Sequence, residues 1–388
     1  MAFWNVEAVD LGLVLTASTG WAFLGLSLRQ ALNFKERRKA PANGETPPVS
    51  VMKPLCGSEP RLYECLRSFC DQDYPEYQIV FGLHKADDPA VAVVDRLRAE
   101  FPDRDITLVC NDAVHGSNLK ISNLINMMSA CRHDYLVVSD SDVKIGRDGL
   151  RSIVDPMVKD DGIGAVSCLY TGQATAGWVS RLGELNINGW IIPSVLLDKS
   201  INNIDCALGA VLLLRRRALE SIGGFAAVTD HLADDHEIGD LMTRAGWRVH
   251  LSHFTVATMV DETSLLALIR HEIRWAQTVW VTRPLDHVLS VATCLLPIYL
   301  LQLALFPSIV GAVAVVLYLL LRFILTATLN RRISFARPMP LWLVPVRECL
   351  CFVVWAACMT SRKIVWRGQS FRLLGCGRLV PAYEAKQG

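Results

Sequence analysis

Two carboxylates in Asp140-Ser141-Asp142 follow directly on the hydrophobic run 135–139. That spacing suits a hard divalent cation that keeps some of its water and completes its shell on a diphosphate. Such an ion would act as a Lewis acid on a departing nucleotide diphosphate. Taken alone, the motif reads equally well as an acidic turn or helix cap before residues 143–150. Two more acidic clusters follow the same logic: Asp87-Asp88-Pro89 after residues 78–83, and Asp234-Asp235-His236-Glu237 beyond the turn at Gly223-Gly224-Phe225. In isolation the first is an ordinary helix start and the second a solvated helix end. The remaining group is Arg270-His271-Glu272-Ile273-Arg274-Trp275. Trp275 stands where a zinc-protease HExxH would need its second histidine, which excludes that chemistry. Arg274 offers a planar fork of donors that stays charged and matches a diphosphate. Trp275 can stack on a sugar, or the Arg–Trp pair can anchor at lipid headgroups.

These residues need a scaffold, and the chain between residues 47 and 260 supplies one. Residues 49–53, 78–83, 106–110, 135–139 and 164–169 read as buried strands. Residues 61–70, 90–101, 122–130 and 150–158 read as helices between them. The alternation predicts an α/β domain with a mostly parallel sheet covered on both faces, a Rossmann-like layout. Ligands in such sheets bind beyond the carboxyl ends of the strands, where the acidic clusters fall. No GxGxxG follows the first strand and no GxxxxGK[ST] occurs, so dinucleotide and P-loop readings fail.

Apolar runs flank that domain. Residues 11–28 carry no charge, long enough to cross a bilayer core of about 17–25 residues. Glu7 and Asp10 precede the run and Arg29, Lys35, Arg37, Arg38 and Lys39 follow it. The positive-inside rule then predicts a retained anchor with the catalytic domain facing the cytoplasm. Residues 288–321 are also uncharged, and Pro307 predicts two helices, 288–306 and 307–329. Residues 341–360 enclose Arg347 and Glu348. They read as a re-entrant or interfacial segment, or as a third span if the two charges pair inside the bundle. The expected domains are 1–46 (N-terminal transmembrane anchor and basic linker), 47–283 (catalytic) and 284–388 (C-terminal membrane domain). With 52% hydrophobic and 20% charged residues the chain reads as an integral membrane protein. Its net charge of +1 provides no bulk field for nucleic acid, and nothing in it points to a protein partner. The 12 cysteines, Cys206 among them, show no zinc or CxxC spacing and read as reduced core thiols.

In this order the motifs resemble the inverting GT-A glycosyltransferases, whose pattern is D, DxD, D, (Q/R)xxRW. More closely they are similar to the ceramide glucosyltransferase family, including bacterial relatives that glycosylate hopanoids. The likeness runs through MKPLCGSEP, ADDPA, HGSNLKISNL, SDSDV, LADDHEIGDLMTRAGWR, HEIRW and WRGQSFRL. It implies a GT-A fold and transfer of glucose or N-acetylglucosamine from a UDP-sugar to a lipid hydroxyl, of ceramide or of a hopanoid such as bacteriohopanetetrol. By the same likeness Asp88 lies near the uridine and Lys120 near the nucleotide. Asp140 and Asp142 hold Mg or Mn, with Asp140 also toward the donor. Asp235 is the general base, and Arg274 and Trp275 close the site. His271 departs from the family's Gln or Arg. A lipid acceptor implies work at the bilayer, expected here to be a bacterial inner membrane. Residues 172–197 read either as an interfacial stretch lining the acceptor entrance, with Trp190 in it, or as core packing. A processive polysaccharide synthase shares the motif set but builds a larger helical channel. A non-catalytic scaffold of the same fold would tolerate loss of Asp140 and Asp235.

Overall fold

The computed structural model describes residues 6–37, 44–202, 207–366 and 369–381. Arg38, Lys39, Cys206 and Arg367 lie outside that set. The chain divides into a sheet unit (Glu36–Thr171, Asn202–Asp261, Lys363–Gly388) and a helical unit (Met1–Lys35, Gly172–Ile201, Glu262–Arg362).

Elements are numbered along the whole chain. It opens with α1 (Val6–Asn33), β1 (Val49–Pro54), α2 (Leu62–Cys70), β2 (Tyr77–Leu83), α3 (Ala90–Glu100) and β3 (Asp105–Cys110). Then come α4 (Leu119–Met127), β4 (Tyr135–Ser139), β5 (Val143–Lys144), α5 (Gly149–Lys159), β6 (Ile163–Ala174), α6 (Trp178–Asn186) and α7 (Ile192–Asn202). The middle of the chain holds β7 (Val211–Arg215), α8 (Arg216–Ser221), α9 (Asp234–Arg244), β8 (Arg248–Val260) and α10 (Leu265–Thr282). The rest is α11 (Pro284–Leu289), α12 (Leu296–Leu305), α13 (Ile309–Arg332), α14 (Val344–Cys358), β9 (Lys363–Trp366), β10 (Gln369–Leu373) and β11 (Leu379–Pro381).

In the sheet unit eight strands lie in the order β3-β2-β1-β4-β7-β6-β8-β5. β3, β2, β1 and β4 pair in parallel, as the strand–helix alternation predicts. β7 joins β4 antiparallel, β6 joins β7 antiparallel, and the short β5 joins β8 antiparallel. Because side chains alternate along a strand, one sheet supplies two cores. Val49, Val51, Ile79 and Phe81 pack with Leu66, Phe69, Val94 and Ile153 of α2, α3 and α5. Met52 and Val80 face the other way, onto Ile121, Leu124, Ile238 and Met242 of α4 and α9. Both faces of the parallel half are covered, which is why its strands read as near-continuous apolar runs. A separate three-stranded sheet, β11-β10-β9, is antiparallel throughout.

Among the described residues of the helical unit two helices are apolar and long enough to cross a membrane, Ile309–Arg332 and Leu341–Cys358. The expected single helix over 288–306 is instead broken. Pro284–Thr293 and Leu296–Leu305 meet at 61°, with Pro297 in the first turn of α12, where its missing N–H is tolerated only at a helix start. The two charges inside residues 341–360 are both paired within this unit. Arg347 grips Glu272, and Glu348 accepts from Arg322 at 2.6 Å, the arrangement a crossing helix would require. Residues 172–202 are more regular than their sequence suggests: α6 runs into α7 through a π-helical turn at Ile187–Ile191. Trp190 is core rather than entrance lining. It is 4% exposed, its indole N–H donates to the Thr293 carbonyl, and the Arg322 guanidinium lies 4.3 Å from its ring centre.

Candidate active site

Three chain segments converge beyond the carboxyl end of β4. The first is the turn Asp140-Ser141-Asp142, which closes with the Val143 N–H on the Asp140 carbonyl. Beneath it lies Lys53, fully buried at the end of β1. Its ammonium donates to Ser139 Oγ at 3.0 Å and to the backbone carbonyls of Asp140 at 2.5 Å and Val143 at 3.4 Å. The Phe69 ring caps it at 3.9 Å. Burial lowers its pKa to about 8, although Asp142, Asp140 and Glu59 oppose the shift. Lys53 therefore fixes the turn from below and sets positive charge behind its carboxylates. Ser141 donates to Glu59 at 2.5 Å, and Thr258 of β8 donates to Asp142 Oδ2 at 2.8 Å. Burial and the neighbouring Asp140 push Asp142 up to about 6.

The second segment is the start of α4. Asn118 caps it, its side-chain oxygen accepting from the Ile121 N–H, and the same amide donates to the His231 carbonyl at 2.8 Å and to Asp234 at 3.4 Å. One residue into the helix, Lys120 reaches Asp140 Oδ1 at 2.7 Å and Asp234 Oδ2 at 3.3 Å. Burial alone would lower this ammonium's pKa, but Asp140 and Asp234 outweigh it and hold Lys120 well above the ordinary lysine range.

The third segment is the first turn of α9, where a helix N-terminus favours the negative charge of Asp234, Asp235 and Glu237. Asp235 is half-buried against Gly209, where an added Cβ would lie 3.0 Å from Asp235 Oδ2. Burial, then the adjacent Asp234, raise its pKa to about 7 even though Lys120 pulls the other way. The loop leading into α9 is laced to its neighbours. Asp230 accepts from the Ser117 N–H at 2.8 Å, its carbonyl accepts from the Leu379 N–H of β11, and the Leu232 N–H donates to the Gly377 carbonyl.

Asp88 follows β2, in the loop before α3. Its carboxylate accepts the Gly57 N–H at 2.9 Å and the Ala90 N–H at 2.9 Å, joining the loop after β1 to the start of α3. Gly57 has φ +73°, a left-handed conformation that suits glycine. Arg274 and Trp275 belong to α10 in the helical unit. There His271 Nδ1 contacts the Glu262 carboxylate, and its ring packs edge-on to Trp275 at 4.5 Å. Burial would raise the Glu262 pKa, but the bond from His271 and the charges of His271 and Arg274 hold it below the usual carboxylate range.

Of the residues expected from sequence, Lys120, Asp140, Asp142 and Asp235 thus meet around β4. Sequence reasoning missed Lys53 and Asn118, and gave Asp234 no role beyond its place in an acidic cluster. A lone lysine in the apolar run VSVMKP and an asparagine directly before a helical stretch were the available signals. Asp140, whose side chain is 37% exposed, and Asp142 are oxygen donors of the kind a hard cation takes. Among the described residues no third His, Cys, Asp or Glu joins them in a metal-holding group. This donor set fits an ion that takes one or two carboxylates and fills its other positions from water and a diphosphate.

The chain has relatives among known proteins, and its fold recurs among solved structures. A ceramide glucosyltransferase 3 from Caenorhabditis elegans is 24% identical over 366 residues, spanning 90% of this chain and 79% of the relative. An N-acetylglucosaminyltransferase from Bradyrhizobium diazoefficiens is 25% identical over 265 residues, 65% of this chain and 53% of that protein. Among solved structures, a mannosyltransferase from Pyrobaculum calidifontis in complex with GDP-Man and Mn2+ shares the fold, with a TM-score of 0.55 and 20% identity. The match covers 91% of this chain and 98% of that one. The profile of glycosyl transferase family 21 matches residues 13–379, nearly the whole length, and the chain belongs to that family of sugar transferases.

Proposed function

We propose that this chain is a membrane-bound, inverting transferase that moves glucose or N-acetylglucosamine from a UDP-sugar to a lipid hydroxyl, of ceramide or of a hopanoid. One observation carries the reading: Lys120 joins Asp140, at the end of β4, to Asp234, at the start of α9, and the next residue, Asp235, is a carboxyl held near neutrality. A carboxyl of that kind is suited to accept a hydroxyl proton in a displacement. Asp235 takes the proton of the acceptor hydroxyl as the new bond forms, and a single displacement inverts the anomeric carbon. We assign Asp88 to the donor's uridine end, and Lys120 and, by the family motif, Arg274 to the leaving diphosphate, where negative charge grows in the transition state. Trp275 gives a stacking face for sugar. Asp140 and Asp142 would hold a divalent cation, Mg or Mn, which supplies Lewis-acid stabilisation of the departing diphosphate when bound. Lys53 and Asn118 orient the two segments that present these groups.

The lipid acceptor is supported by the two long apolar helices of the helical unit, by the broken apolar pair preceding them, and by the ceramide glucosyltransferase relatives. The expected setting is a bacterial inner membrane with the sheet unit on the cytoplasmic side. The test uses purified full-length protein with UDP-glucose or UDP-N-acetylglucosamine, magnesium or manganese, and ceramide, diacylglycerol or bacteriohopanetetrol, with products identified by mass. A β-linked monohexosyl lipid is expected. Long soluble glycan in place of glycolipid would favour a processive synthase. No turnover by the wild type, together with unchanged lipids in cells carrying Asp140→Ala, would favour a scaffold.

A further inference from the structure

The helical unit encloses a pair of charges that the proposed chemistry does not use. Glu272 lies inside α10, between His271 and Arg274, and is 4% exposed; Arg347 of α14 is 1% exposed. They meet in a bidentate fork, Arg347 Nη1 to Glu272 Oε1 at 2.8 Å and Nη2 to Oε2 at 2.6 Å. Two further donors of Arg347 are occupied, Nε by Cys351 Sγ at 3.2 Å and Nη1 by the Leu182 carbonyl at 3.4 Å, so four of its five N–H groups are engaged. A guanidinium so enclosed, and with most of its donors engaged, is out of reach of a substrate or a lipid headgroup. Nor is stability a sufficient reason for it, because replacing both members of a buried ion pair by apolar groups is often neutral or favourable. What a two-bond fork does supply is geometry, since its planar donors accept a carboxylate in one orientation.

That orientation bears on Arg274. An α-helix turns about 100° per residue, so Arg274 projects about 160° away from Glu272, from the opposite side of α10. His271 and Trp275 lie about 40° apart on a third side, where His271 is held by Glu262. Consecutive residues 271 and 272 are therefore tied to two different partners, and the helix cannot turn about its axis without breaking one tie. The far partner is itself braced, because the next residue on α14, Glu348, is bonded to Arg322 and Tyr318 of α13.

We propose that Glu272 and Arg347 are positioning residues for sugar transfer: their buried fork fixes the rotation of α10 and so the direction in which Arg274 is presented. The inference rests on the function proposed above, and its test separates the two. The informative variant is the full-length double substitution E272M/R347M, which removes both charges together and avoids stranding either one. Thermal unfolding in detergent or nanodiscs is expected to stay within a few degrees of wild type. The turnover number is expected to fall about 10- to 100-fold, the scale of loss when a catalytic group is displaced by about an ångström, with a smaller change in KM. Adding R274A completes a cycle. R274A should cost much in the wild-type background and little in E272M/R347M, because a misdirected Arg274 has already lost its effect.

Wild-type turnover in a folded double variant, or an R274A cost that multiplies in full, would overturn the positioning role and leave the transferase reading intact. A wild type that makes no glycolipid from either donor would overturn both. Should E272M/R347M fail to hold its fold, Glu272→Asp keeps the charge and shortens the reach by one methylene. It is then expected to retain the unfolding temperature and lose turnover, and full activity in that variant would contradict the proposal.

Discussion

The protonation of Asp235 sets a quantitative expectation for the reaction. An ordinary aspartate would be ionised throughout the range where the protein can be assayed. Here burial and Asp234 raise the carboxyl to about 7. A base acts only when unprotonated, so kcat/KM, which reports the free enzyme, should rise with pH and level off above the pKa. With a pKa near 7, about 10% of Asp235 is ionised at pH 6 and about 1% at pH 5, so kcat/KM should drop about tenfold for each unit below 7. An aspartate at about 3.9 would give less than a tenth of that hundredfold loss at pH 5. Asp142 titrates in the same region, at about 6, but its limb should lie about one unit lower and should move with metal concentration, because a cation competes with the proton for that carboxylate. The assay is initial-rate glycolipid formation from pH 5 to pH 9 at saturating metal, followed by mass spectrometry. Asp235→Asn should cost about 10²–10⁴ in turnover at its best pH and remove the acid limb near 7. A profile flat from pH 5 to 8, or an Asp235→Asn enzyme retaining a tenth of wild-type turnover, would refute the base assignment. The same shift has a thermodynamic counterpart. The folded state holds this proton where the unfolded chain has lost it, so Asp235 contributes a loss of stability as pH rises from about 4 to about 7, which Asp235→Asn should abolish.

Other expectations follow from single contacts. Asn118→Ala removes the cap of α4 and unties the loop at His231 and Asp234; the cap alone is worth about 1 kcal/mol, so the unfolding temperature should fall and turnover with it, and an unchanged enzyme would contradict the latch. Arg322→Met strands the fully buried Glu348 carboxylate and should destabilise the protein by about 3–5 kcal/mol, read as a lowered denaturation midpoint, whereas Arg322→Met combined with Glu348→Met should recover most of the loss. The glycolipid formed from an α-linked UDP-sugar should carry a β linkage by proton NMR coupling; an α linkage would require a covalent intermediate or another route and would remove Asp235 from its role.

How much of this could be read in the residues depended on what each segment buries. The runs 49–53, 78–83, 106–110 and 135–139 are strands packed between two helical layers, so their apolar character is nearly unbroken and visible. β8, RVHLSHFTVATMV, alternates buried positions with histidines and threonines and lacks the composition that marks the parallel half, whereas β7, VLLLR, is as apolar as those strands but runs straight into Arg215-Arg216-Arg217 with no turn signal to bound it. The order D, DxD, D, RW pointed to Asp140, Asp142 and Asp235, but no spacing reveals that Lys53 lies beneath the Asp140 turn, because that contact joins residues 87 apart in the chain. The strands at 363–381 are three to five residues long, and in sequence they enter only through WRGQSFRL as part of the family likeness, with no strand pattern. Their tie to residues 230–232 is made by backbone groups, which leave no trace in side-chain type. The break within 288–306 is marked by Pro297, but an apolar run on both sides masks it.

If the carboxylates and Lys120 around β4 form a nucleotide-sugar site that works with a divalent cation, the protein must bind a uridine nucleotide in an ion-dependent way. Calorimetric titration of the purified full-length protein with UDP, with manganese or magnesium present, tests it most directly. Saturable binding is expected, lost with chelator and lost in Asp140→Ala. Absence of binding by any uridine nucleotide in the presence of either ion would contradict it.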